Sequence, residues 1–142
     1  MIFRTSKILV SLLLFVLVGC SKTGVSKNMT GDLVPFVLKC VTARGASPIT
    51  NGLPELQAQW VCQSEPTADV VIISGSRFDE VQAFLKRAFG EPDRSLVSPS
   101  DPSAGGRDLR KALYGVNRIG VGLILADDSK NTMICIIGDH KP

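Results

Sequence analysis

Histidine is almost missing from this chain: among 142 residues the one imidazole is His140, close to the C-terminal end. That scarcity excludes the usual histidine-based zinc sets and the Ser–His or Cys–His pairs of nucleophilic catalysis. Asp139 beside it does not rescue a metal site, because adjacent side chains rarely converge on one ion. Aromatic residues make up 6% of the chain, with one tryptophan, Trp60, and one tyrosine, Tyr114. Charge of one sign is scarce as well. Sixteen Lys and Arg against 13 Asp and Glu give a formal net charge of +3, too little for the basic footprint of a nucleic-acid binder. No apolar run reaches the roughly 20 residues that a membrane-spanning helix needs.

The longest apolar run, from Ile8 to Val18, is interrupted only by Ser11, follows a short basic start containing Arg4 and Lys7, and ends at Gly19-Cys20. Basic, apolar and small zones in that order are a secretory signal pattern. The segment 1–19 is expected to be a removed leader rather than a permanent span. Residues 20–32 follow as a stretch of Ser, Thr, Gly, Asn and Lys that buries little and is expected to be a flexible tether. Loss of Arg4 and Lys7 with the leader leaves basic residues outnumbering acidic ones by one.

Leu17-Val18-Gly19-Cys20 resembles the lipobox of bacterial lipoproteins, in which a peptidase cuts before a cysteine carrying a diacylglyceryl thioether and the new N-terminus is usually acylated. That resemblance implies a mature chain of 123 of the 142 residues beginning at lipidated Cys20. Several acyl chains would make membrane lipid a stable partner, since each buried methylene contributes about 0.8 kcal/mol. Ser21 is similar to what lipoproteins forwarded to the outer membrane carry at that position. The implied location is the cell envelope, lipid-anchored at the outer membrane and facing the periplasm.

Residues 33–142 are long enough for one buried core and too short for two. Val34, Phe36, Leu38 and Cys40 alternate with Leu33, Pro35, Val37 and Lys39, which predicts a strand, at an edge because of Pro35. Residues 43–55, with two glycines and two prolines, read as a loop. Ala58, Trp60 and Cys62 alternate with glutamines and Val61 in a second, half-buried strand. Asp69-Val70-Val71-Ile72-Ile73 lacks alternation and predicts a mid-sheet strand buried on both faces. Ser76, with Asp79 as its capping partner, opens a helix over 76–89 whose stripe of Phe78, Val81, Phe84, Leu85, Ala88 and Phe89 is core. Residues 91–108 read as a long loop, and 108–114 is compatible with a helical turn or a strand. Ile119, Val121, Leu123 and Leu125 line one face of a further strand. Residues 126–131 make a turn into a continuous apolar strand, Thr132 to Ile137. The fold class is therefore α+β: an antiparallel or mixed sheet of about five strands with one principal helix on one face.

The helix ending in Phe89-Gly90-Glu91-Pro92, followed by a hairpin, resembles the helix-to-sheet junction of the SmpA/OmlA family, small outer-membrane lipoproteins that assist β-barrel assembly. Only the helix and hairpin share the pattern. The family's preceding helix and its glycine-methionine helix start are not expected here, where two strands are predicted to come first.

Catalytic groups are few. Ser74-Gly75-Ser76 lacks the glycines of a nucleophile elbow, Asp127-Asp128 lacks the ligand spacing of a calcium loop, and Gly105-Gly106-Arg107 is too short to cradle phosphate. No catalytic residue, cofactor or metal is assigned, and the chain is not expected to be an enzyme. With Cys20 lipidated, Cys40, Cys62 and Cys135 remain, so at most one intramolecular bridge forms. Cys40 with Cys62 is the expected pair, each on the apolar side of its own strand; three reduced thiols are the alternative. The expected function is that of a membrane-tethered interaction or assembly accessory whose partner is another envelope protein. The alternative is a ligand-binding or inhibitor lipoprotein using residues 43–55 or 91–108.

Overall fold

The computed structural model describes residues 27–101, 107–128 and 130–140; the leader, Cys20 and residues 102–106 lie outside that range. Chain order is β1 (Met29–Asp32), α1 (Leu33–Ala43), β2 (Gln57–Ser64), β3 (Ala68–Ser74), α2 (Phe78–Phe89), β4 (Arg94–Asp101), β5 (Arg107–Tyr114), α3 (Val116–Ile119), β6 (Gly122–Asp127) and β7 (Asn131–Ile137). Among the described residues seven strands form one sheet in the order β1-β2-β3-β7-β6-β5-β4. Every neighbouring pair is antiparallel. The helix α2 carries the chain from mid-sheet to the far edge, and three hairpins bring it back until β7 closes against β3.

The α+β class agrees with the sequence, but the strand count exceeds the expected five. The segment 33–40 is a helix rather than a strand. Its apolar residues are so nearly continuous that both periods are satisfied, and the buried set Leu33, Val34, Val37 and Val41 follows the helical one. Asp32 decides the matter locally: its Oδ1 accepts the Val34 N–H at 3.1 Å and the Leu56 N–H at 3.0 Å, capping α1 and tying down the next loop. Pro35 sits in the first turn, where a backbone N–H has no acceptor within the helix. The tether expected through residue 32 is also shorter, since Met29–Asp32 already pairs with β2.

Residues 91–108, expected to be a loop, contain the edge strand β4, which tolerates Pro99 because an edge leaves one row of N–H groups unpaired. The helix α2 matches its predicted stripe, with Phe78, Val81, Phe84, Leu85 and Ala88 buried. Ser76 is not its cap. The Ser76 hydroxyl donates to Asp127 Oδ2 at 2.6 Å, and the orphan Arg77 N–H is satisfied by Thr132 Oγ1 at 2.7 Å from across the sheet.

Both long helices cover the same face. One core cluster joins α1 and α2 to Trp60, Val71, Ile73, Leu123, Leu125, Ile134 and Ile136. Phe36 packs on Trp60 with ring centroids 5.5 Å apart, and Phe89 on Tyr114 at 6.2 Å.

Candidate functional site

With both helices on one side, the other face of the sheet has no second layer among the described residues. Strand register arranges its side chains in two rows across the sheet. One runs Gln63, Val70, Cys135, Ile124, Leu113, Arg94, and the other Val61, Ile72, Met133, Ala126, Lys111, Leu96. The apolar members from Val61 to Leu113 are half-buried by their neighbours, while Leu96 and Ile137 are 46% and 40% exposed. β3 and β7, expected to be buried on both faces, alternate instead: Asp69, Val71, Ile73, Thr132, Ile134 and Ile136 are inside, and Val70, Ile72, Met133 and Cys135 face out.

Strands about 4.8 Å apart and outward side chains every ~6.7 Å give this patch a footprint on the order of 300 Å². At that size the largest apolar patch of a monomer is often a functional one. Gln59 and Gln63 flank it on β2. The charged side chains in the two rows, Arg94 and Lys111, are both basic.

The clefts are poorer candidates. One of about 350 Å³ is lined by Thr30, Gln57, Ala58, Gln59, Ser74 and Arg77, and one of about 460 Å³ by residues that include Ser47, Ile49, Phe89 and Arg118. Both are open to solvent. The Arg118 guanidinium bordering the second is already engaged by Asp93 Oδ1 at 3.0 Å. Trp60 and Tyr114, the aromatics that would mark a ligand pocket, are core residues, 6% and 4% exposed. Among the described residues no three His, Cys, Asp or Glu side chains are grouped to hold a metal ion.

Sequence reasoning missed Arg44. It sits just past α1, is 1% exposed, and meets the buried Asp69 in a two-point contact, Nε to Oδ2 at 2.8 Å and Nη2 to Oδ1 at 3.0 Å. Its remaining N–H groups donate to the carbonyls of Glu65, Pro66 and Gly138, and Ser64 Oγ also donates to Asp69. One guanidinium thereby ties the end of α1 to the β2–β3 turn and the exit of β7. The overlooked signal was Asp69 itself, a carboxylate at an inward strand position, which requires a buried cationic partner.

Of the expected bridge, Cys40 lies on α1 rather than on a strand, and Cys62 lies on the inner face of β2. All three described cysteines are free thiols. Cys40 and Cys62 are brought close enough that each is the largest influence on the titration of the other, Cys40 being pushed up and Cys62 drawn down. Cys135 is on the opposite face. His140 is exposed beyond β7, beside Asp139. No family model matches the chain, and neither a curated protein nor a solved structure shows significant similarity to it.

Proposed function

We propose that this chain is a membrane-tethered, non-catalytic envelope lipoprotein that works by docking the open face of its sheet onto another envelope protein. The observation that supports this reading is the uncovered apolar stripe across β2, β3, β7, β6 and β5. A stable interface of ordinary size buries about 800 Å² on each side, so a partner must reach past the stripe to the glutamines and to Arg94 and Lys111. Its contact surface is apolar with a carboxylate rim on the β4–β5 side. The lipobox supplies the tether: acylated Cys20 holds the domain at the outer membrane, on the periplasmic side, with a short polar linker before β1.

Two substitutions test the two halves separately. Cys20→Ala is expected to move the protein from the membrane fraction to the soluble periplasm; unchanged membrane partitioning would remove the anchor from the account. Ile72→Lys is expected to abolish recovery of the partner while the melting temperature stays within a few degrees of the parent. Partner recovery that survives the lysine would remove the face.

A further inference from the structure

Helix α1 and strand β2 lie side by side with matched steps. Four residues of helix advance ~6 Å and two residues of strand ~6.7 Å, so partners recur at every fourth position of one and every second of the other. Phe36 packs against Trp60 in a tilted arrangement with ring centroids 5.5 Å apart. Four residues beyond Phe36 is Cys40, and two beyond Trp60 is Cys62. One step further, Arg44 and Ser64 both bond to Asp69. The two thiols are the middle rung of a ladder whose outer rungs are fixed by ring packing and by a buried ion pair.

We infer that Cys40 and Cys62 close into the domain's one intramolecular disulfide, by exchange with an external disulfide donor such as oxidised glutathione or a disulfide-bearing oxidoreductase. Cys135 cannot compete. It pairs across the ladders with Val70 and Ile124 and faces away from the helices, so the thickness of the sheet separates it from both other thiols. Register also explains why the pair survives a wrong secondary-structure expectation for residue 40: a helix face opposes β2 as effectively as a neighbouring strand.

The chemistry has a defined order. The neighbouring Cys40 thiol favours the Cys62 thiolate, with the Arg44 charge helping, whereas Cys62 pushes the Cys40 thiol up. Cys62 therefore attacks the donor first. A Cys62–donor mixed disulfide forms and the donor's own S–S bond breaks, releasing one donor thiol. Cys40 then loses its proton and attacks Cys62 Sγ, expelling the second donor thiol. Two electrons pass to the donor, and the two thiol protons leave with its sulfurs.

Closure in the cell rests on the envelope location proposed above, but the pairing does not, and the test separates them. Protein extracted from cells is acid-quenched, alkylated and mapped without reductant; a second sample is first incubated with oxidised glutathione. In the second sample the Cys40 and Cys62 peptides are expected joined, with Cys135 alkylated. Both thiols still alkylated there, or a link from either to Cys135, would overturn the pairing. A link formed with glutathione but absent from freshly extracted protein would support the pairing and count against the oxidising compartment. Reduction of the closed form is expected to lower the melting temperature by on the order of 10 °C. Cys135→Ser should keep that sensitivity, and the double variant Cys40→Ser with Cys62→Ser should lose it.

Discussion

Arg44→Ala is expected to cost roughly 3–5 kcal/mol, because it leaves the Asp69 carboxylate buried without its partner. Against a typical domain stability of about 5–15 kcal/mol, that is enough to unfold a large share of the molecules at growth temperature. Asp69→Ala strands the guanidinium in the same way, and its cost is expected to be of the same size. Removing both charges in one Arg44→Ala, Asp69→Ala protein should cost less than the two single changes added together, though not zero, since the carbonyls of Glu65, Pro66 and Gly138 would lose their donor. Urea titration of the four proteins measures this coupling; additive losses would mean that the pair contributes nothing as a pair.

The same site sets an acid limit. Burial alone would push the Asp69 carboxyl up, but the hydrogen bonds from Arg44 and Ser64 outweigh it and hold the group below the usual carboxylate range. A depressed folded value means that the stabilisation is complete above the unfolded carboxylate value of about 3.9 and disappears as pH falls through the lower, folded value. Unfolding by acid should therefore begin below about pH 4, and it should begin at higher pH in a Ser64→Ala variant, which loses one of those hydrogen bonds.

The second large effect is a contrast between two isoleucines on adjacent strands. Ile134 on β7 is 0% exposed and faces the helices, whereas Ile72 on β3 lies between Val61 and Met133 on the open side. Ile134→Lys puts an ammonium into the core without a partner and is expected to cost more than about 4 kcal/mol. Ile72→Lys can lay its methylenes along the sheet and keep its charge in water, with a cost near ~1 kcal/mol. Melting curves of the two variants decide the matter. Equal collapse would show that the outer face is as buried as the inner one.

How much of this was legible in the sequence depends on what each residue can encode alone. Helix α2 was readable because its apolar stripe at helical spacing alternates with Asp79, Glu80, Lys86 and Arg87, and Gly90, with φ of +86°, ends it. The β6–β7 hairpin was readable from two apolar runs around a polar turn. The segment 33–43 was not, because a run apolar at nearly every position satisfies both periods, and the capping role of Asp32 shows only when its partner Leu56 is in place. Apolar character on both sides of β3 and β7 was read as double burial. Sequence records the character of a face but not what lies against it, and here both long helices went to the same side. Ser76 lost its expected capping role to Thr132, more than fifty positions away, a contact that no local pattern carries. For the cysteines only the placement was legible: Cys40 and Cys62 do lie on core-facing sides, yet Cys40 is helical, both are free thiols, and their approach depends on the register between α1 and β2.

The central claim, that the uncovered face is where another envelope protein docks, is tested most directly by site-specific photo-crosslinking in living cells, with the probe placed in turn at Ile72 on the open face and at Ala83 on the exposed side of α2. The account predicts one discrete protein adduct from Ile72, lost when Ile124→Lys is introduced two strands away on the same face, and no such adduct from Ala83. Adducts of equal yield from both positions, or none from Ile72 in cells where the protein is folded and membrane-bound, would contradict it.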